Sequence, residues 1–217
     1  MGKTRTCGWD LENAARTLGA LRIAGLDEVG RGPMFGPVVA AAVILPAGRL
    51  LETPVQGPLQ GLTDSKKLSE KRRLQFDAEI RATAVAWSVA TIDVETIDRI
   101  NIRQASLLAM RRAVEQLPLG PDYLLIDGLD TIDWPCRQQP VVKGDSISLS
   151  IAAASVLAKV HRDQLLVALD AEYPGYGLAR HKGYCSAEHL EALARLGPTP
   201  LHRKSFRPVA QVMLPFE

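Results

Sequence analysis

Ile23-Ala-Gly-Leu-Asp-Glu-Val-Gly-Arg-Gly-Pro33 decides how this chain is read. An apolar run of buried-strand character ends in two adjacent carboxylates, Asp27 and Glu28. A Gly-Arg-Gly-Pro turn follows, and then a second apolar run, Val38 to Leu45. Carboxylates at the mouth of a buried strand are costly to desolvate and need a compensating partner, of which a bound cation is the simplest. The glycines beside them lack a Cβ and give a ligand close access to backbone N–H groups. Cation plus exposed backbone points to phosphate chemistry.

Working outward, Leu21 to Asp27 and Val38 to Leu45 read as antiparallel neighbours joined by the Gly/Pro-rich turn. Residues 46–61, rich in proline and glycine, read as a loop. Ser69 caps a helix over Glu70 to Ile80, Ala82 to Ile92 is a third strand, and Asn101 to Leu117 has apolar residues at helical spacing. Tyr123 to Ile126 is a short buried strand ending in Asp127-Gly128. Pro140 to Val142 is another, ending in Lys143-Gly144-Asp145, and Ser150 to Asp170 is a long apolar helix. The fold class is therefore α/β, a mixed sheet flanked by helices. Three segments follow: an N-terminal extension (1–20), a sheet-and-helix domain that carries the acids (21–170), and a basic C-terminal helical segment with a tail (171–217).

At 217 residues and 47% hydrophobic content the chain can bury a full core. It has no apolar run long enough for a membrane span and no apolar signal segment at its start, and its three scattered cysteines suit a reducing compartment. A cytoplasmic monomer is expected. The net charge of +2 is small, but basic residues cluster at Lys66-Lys67, at Lys71-Arg72-Arg73, and from Arg180 to Arg207, as in proteins that hold phosphate backbones. The Lys71 to Arg73 run reads equally as a solvated helix face.

Asp27-Glu28, Asp127 and Asp145 each follow an apolar run, so strands lying side by side would bring the acids to one sheet edge. Such acids repel and raise each other's pKa unless cations neutralise them, and hard oxygen ligands suit Mg²⁺ or Mn²⁺. Singly, Asp127-Gly128 also reads as a plain turn and Asp145 as a helix cap. The scattered histidines His161, His181, His189 and His202 do not form an acid–base pair; at most His181 or His202 could touch a phosphate.

Five motifs, Asp27-Glu-Val-Gly-Arg-Gly-Pro, Asp64-Ser-Lys-Lys-Leu, Leu125-Ile-Asp-Gly, Lys143-Gly-Asp-Ser with Ala-Ala-Ala-Ser-Val-Leu-Ala-Lys-Val, and Arg180-His-Lys-Gly-Tyr, closely resemble ribonuclease HII, the type 2 ribonuclease H, in that family's order. The resemblance runs from about residue 21 to 208. It implies a ribonuclease H-like fold and endonucleolytic cleavage of the RNA strand of RNA–DNA hybrids. It also implies incision 5′ to ribonucleotides embedded in duplex DNA, leaving a 3′-OH and a 5′-phosphate, with two divalent ions (Mg²⁺ or Mn²⁺). Asp27, Glu28, Asp127 and Asp145 would be the metal-binding catalytic acids. Gly30, Arg31 and Gly32 would read the ribose 2′-OH through their backbone, and Tyr184 would pack on the neighbouring sugar or else merely fill space beneath the Gly-rich segment. Lys66, Lys143, Ser146 and Lys182 join Arg31 as candidate phosphate or sugar contacts, though Lys143 and Ser146 could serve only to orient Asp145. Met34 and Phe35 stand where the family more usually has small or aliphatic residues.

Gln211-Val-Met-Leu-Pro-Phe216 resembles the peptides that dock into DNA sliding clamps; alternatively Leu214 and Phe216 fold back on the core. A non-catalytic hybrid binder and a DNA nuclease of the same fold are the competing functions. The intact acid set argues against the first and the Gly-Arg-Gly turn against the second.

Overall fold

The computed structural model describes residues 7–46 and 57–213. Most of the loop expected over 46–61 and the end of the Gln211–Phe216 motif therefore lie outside the described residues; Gly57–Leu59 form a 3₁₀ turn.

Five strands form one sheet: β1 Ile23–Val29, β2 Val38–Ile44, β3 Ala86–Ile92, β4 Tyr123–Asp127 and β5 Arg137–Val141, in the order β3-β2-β1-β4-β5. The first three are antiparallel neighbours, while β4 and β5 run parallel to β1. The helices are α1 Asp10–Thr17, α2 Glu70–Thr83, α3 Val94–Ile100, α4 Ile102–Glu115, α5 Leu149–Glu172, α6 Leu178–His181, α7 Ala187–Leu196 and α8 Arg207–Met213. Ser69, Asn101, Ser148 and Ser186 cap α2, α4, α5 and α7 with their side chains, each accepting a backbone N–H that the helix cannot satisfy itself.

Strand alternation sorts the core into two layers. Ala24, Leu26, Ala40, Ala42, Leu124 and Ile126 face α4. Ile23, Val29, Val39, Ala41, Val43 and Leu125 face α5, whose Ile151 to Ala158 stretch is wholly buried. Gly25 lies on this second face. A Cβ there would stand 2.1 Å from the backbone of Ser150, so α5 seats directly on the strand.

The third strand begins at Ala86, not Ala82, because α2 continues to Thr83. The fifth occupies Arg137–Val141 where Pro140 to Val142 was expected. It is an edge strand with exposed and half-buried polar residues, so apolar patterning gave no sign of its start. Pro140 is tolerated because an edge need not use every N–H. Residues 7–20 pack onto the same core: Trp9, Glu12 and Ala15 are buried, and Gly8 bridges to Ser148 in β-fashion. The C-terminal helices close over the turn after β1, with Phe35 and Met34 buried among them. The unusual size of those two residues thus serves packing.

Candidate active site

The parallel register of β1 and β4 pairs Leu26 with Ile126, and one residue further it sets Asp27 beside Asp127. Both belong to the α5 face, whereas Glu28 alternates to the α4 side, where it lines a small cleft of about 20 Å³ with Arg31, Arg103, Ser106 and Asp127. Asp27 is nearly buried and accepts the Glu28 N–H at 2.7 Å; the Ser155 hydroxyl of α5, 2.9 Å from that of Ser65, favours the ionised form of Asp27. Asp127 accepts the Gly144 N–H at 2.7 Å, which ties the end of β4 to the turn after β5. Asp145 sits in that turn, a 3₁₀ segment over Gly144–Ser146. It is neither a strand-end residue nor the helix cap that its sequence also allowed, since Ser148 caps α5.

The four acids perturb one another. Burial raises the pKa of Asp27, and Glu28, Asp127 and Asp145 add repulsion. Burial raises Glu28 and Asp127 as well, against the pull of Arg31 on the first and of the Gly144 and Asp145 N–H groups on the second. Asp145 is raised to about 6 by burial and by the charges of Asp64 and Asp127. Among the described residues no three His, Cys, Asp or Glu side chains close into a ready-made ligand group. The donors are nonetheless hard carboxylate oxygens whose repulsion a divalent cation relieves, and an open set suits a cation that keeps waters and shares a substrate phosphate.

Around the acids, Gly30 has φ +97° and the carbonyls of Gly30 and Arg31 accept from Arg203. Arg31 is exposed, with its guanidinium 3.5 Å from Glu28. Tyr184 is 42% exposed, and its ring edge lies 3.6 Å from where a Cβ on Gly32 would be, so it faces the turn and is not buried beneath the Gly-rich segment 175–183. Lys66 feels Asp27, Asp64 and Asp145: burial opposes its charge, but the acids outweigh that and raise its pKa. Ser146 accepts the Lys67 ammonium at 3.0 Å. Lys143 is exposed in the left-handed region, at φ +56°. The Lys182 ammonium turns back onto the Ala179 carbonyl.

Several expectations need correction. His202 cannot touch a phosphate: it is fully buried, bonded to Thr199 and 3.3 Å from the Nε2 of His189. His181 Nε2 contacts the Tyr176 carbonyl. Nor is Arg203 part of a solvent-facing basic patch, since it is buried. Four residues carry more than their sequence suggested. Asp64 lay inside a quoted motif but follows a loop, not an apolar run. Glu12 belongs to a segment without a motif. Arg162 and Arg203 are charges in buried positions; the available signal was Arg162 at helical spacing with the buried Leu166 and Leu169 of α5.

A sheet in this order, with acids from β1, β4 and the turn after β5 gathered at one end, defines a nuclease of the ribonuclease H-like fold. The family model described as ribonuclease HII matches residues 24–209. A ribonuclease HII from Geobacter sulfurreducens is 54% identical over 203 residues, covering 94% of this chain and 90% of that one. The chain belongs to the ribonuclease HII family, whose activity is endonucleolytic hydrolysis of the ribonuclease H type. Among solved structures, ribonuclease H2 of Pyrococcus horikoshii OT3 superposes with a TM-score of 0.73 at 21% identity, over 88% of this chain and 97% of that one. Ribonuclease HII of Archaeoglobus fulgidus, solved in complex with PCNA, gives 0.67 at 24% identity, over 86% and 96%.

Proposed function

We propose that this endonuclease hydrolyses the RNA strand of RNA–DNA hybrids and incises 5′ to single ribonucleotides in duplex DNA, leaving a 3′-OH and a 5′-phosphate. One observation carries this reading: mutually repelling acids stand beside a glycine turn whose free face meets Tyr184. Asp27, Glu28, Asp127 and Asp145 are the catalytic acids and would hold two divalent ions, Mg²⁺ or Mn²⁺. Such ions supply charge neutralisation and Lewis acidity at phosphorus when bound.

The chain's own residues do the rest. Ser155 and the Gly144 N–H orient Asp27 and Asp127. Lys66 keeps a positive charge among the acids and offsets phosphate repulsion. Arg31, Lys143, Ser146 and Lys182 contact phosphate or sugar, Lys182 after its ammonium leaves the Ala179 carbonyl. Gly30 to Gly32 read the 2′-OH through their amides, and Tyr184 packs on the adjoining sugar, favouring an RNA-to-DNA junction.

The protein acts as a cytoplasmic monomer; among the described residues no helix is long and apolar enough to cross a membrane. Residues 211–217 recruit it to a sliding clamp, a reading supported by their sequence and by the clamp complex of the Archaeoglobus relative. Deleting them should abolish clamp binding and spare cleavage.

The deciding experiment offers the enzyme a labelled duplex with one ribonucleotide, in Mg²⁺, Mn²⁺ or chelator, beside an all-DNA control. Cation-dependent cutting 5′ to the ribonucleotide is expected, with Asp27→Asn binding but not cutting. Equal cutting of the control, or wild-type turnover by Asp27→Asn, overturns the reading.

A further inference from the structure

Among the described residues two guanidinium groups are fully buried, and neither faces a carboxylate in any hydrogen bond it makes. Arg203 donates to the carbonyls of Gly36 (2.9 Å), Arg31 (3.1 Å) and Gly30 (2.6 Å). Arg162, from the middle of α5, donates to the carbonyls of Pro37 (3.1 Å), Phe35 (3.0 Å) and Lys182 (2.9 Å). Five of the six accepting carbonyls belong to the segment Gly30 to Pro37, and the sixth lies two residues before Tyr184. Burial pushes both guanidiniums down, to about 9 for Arg203 and about 10 for Arg162. An apolar side chain of similar volume would avoid that desolvation, and buried charges are often dispensable for stability alone. What the arginines add is a fixed orientation of carbonyls.

That orientation has a geometric consequence. In a planar trans peptide the N–H points opposite to the C=O. Turning the Gly30 and Arg31 carbonyls inward to Arg203 therefore turns the Arg31 and Gly32 N–H groups outward. Gly30 is required in the same arrangement, since a Cβ there would lie 2.4 Å from Nε of Arg162. The Arg162 fork also spans the gap between this turn and the Lys182 carbonyl, joined by the Met34 N–H to Gly183 bond at 3.0 Å.

We propose that Arg203 and Arg162 are positioning residues for ribose recognition. Arg203 aims the turn's amides at the substrate, and Arg162 sets the spacing between those amides and Tyr184. The proposal rests on the reading above that this turn recognises the 2′-OH. It predicts that specificity, beyond mere folding, depends on the two forks. Lysine keeps the charge but offers a single ammonium in place of a planar array of donors.

The test compares the wild type, Arg203→Lys and Arg162→Lys by steady-state cleavage in Mg²⁺ of a duplex with one ribonucleotide. An all-DNA duplex serves as competitive inhibitor, and the readout is the ratio of its Ki to the KM of the substrate. In the variants this ratio should fall at least tenfold through a rise in KM, with Ki for all-DNA unchanged. Variants that keep the wild-type ratio, and lose only thermal stability or kcat, overturn the proposal. A wild-type ratio near one instead overturns the 2′-OH reading itself, and the inference with it. Should neither variant fold, hydrogen exchange of the two arginine Nε–H groups in the free wild-type protein decides. Slow exchange is expected, and exchange at the rate of exposed arginines overturns the staple.

Discussion

Replacing Gly25 with alanine should damage stability and catalysis together. Gly25 and Asp27 share the α5 face of β1, and the added Cβ would lie 2.1 Å from the Ser150 carbonyl carbon and 2.3 Å from the Ile151 nitrogen. These are backbone atoms at the start of a 24-residue helix, so no side chain can swing aside. Restoring the 3.4 Å of ordinary contact needs about 1.3 Å of separation between helix and strand in a close-packed interior. Overpacking of this kind costs roughly 1–3 kcal/mol, and the rigid obstacle places Gly25→Ala at the upper end. One helical turn beyond Ile151 stands Ser155, which orients Asp27. A displacement of about 1 Å at a reacting group is worth roughly 10²-fold in rate. Urea unfolding at neutral pH and single-turnover cleavage, at a denaturant-free temperature where the variant is folded, would report the two effects separately. A loss below about 0.5 kcal/mol with full turnover would refute the direct seating of α5 on β1.

Three further outcomes follow from the charges. Asp145, raised to about 6, must ionise to bind a cation, so Mg²⁺ affinity and turnover should climb as pH rises through about 6, and more Mg²⁺ should move that midpoint down. A pH-independent affinity across that window contradicts the coupling. Glu12 is buried with one oxygen unpartnered, and its pKa is raised by burial, so the native state favours the protonated form. Its contribution to stability is therefore full below about 4.5 and declines as pH rises through the folded value. Glu12→Gln, which can still accept from Ser148 and the Ser150 N–H, should flatten that decline, and titrating urea midpoints will show whether it does. His189 and His202 are held to about 4 by burial, below the ordinary 6.5, so the unfolded chain takes up protons first. Their stabilisation is full above about 6.5 and is lost towards 4, by at most roughly 3 kcal/mol each; His202→Gln should shrink that acid-side slope.

The sheet and its acids were legible for one physical reason: β1, β2 and β4 are buried, and buried strands ending in carboxylates stand out against water-soluble patterning. Asp27 and Asp127 could be paired because both close such runs. Where burial is partial the signal fades. The edge strand Arg137–Val141 is polar, α3 spans only two turns, and α1 carries no motif, although Trp9 and Glu12 enter the core. The missed site residues share a different cause. Arg162 and Arg203 make their contacts across long stretches of chain, which no local periodicity records.

Arg203 reaches the carbonyls of Gly30 and Arg31 across more than 170 residues. During synthesis, therefore, the strand bearing Asp27 and Glu28 emerges long before the arginine that shapes the turn beside it. At roughly 5–20 residues per second a ribosome needs on the order of ten seconds to bridge that interval. The turn beside Asp27 and Glu28 therefore takes its final shape only after the segment carrying Arg203 has been made.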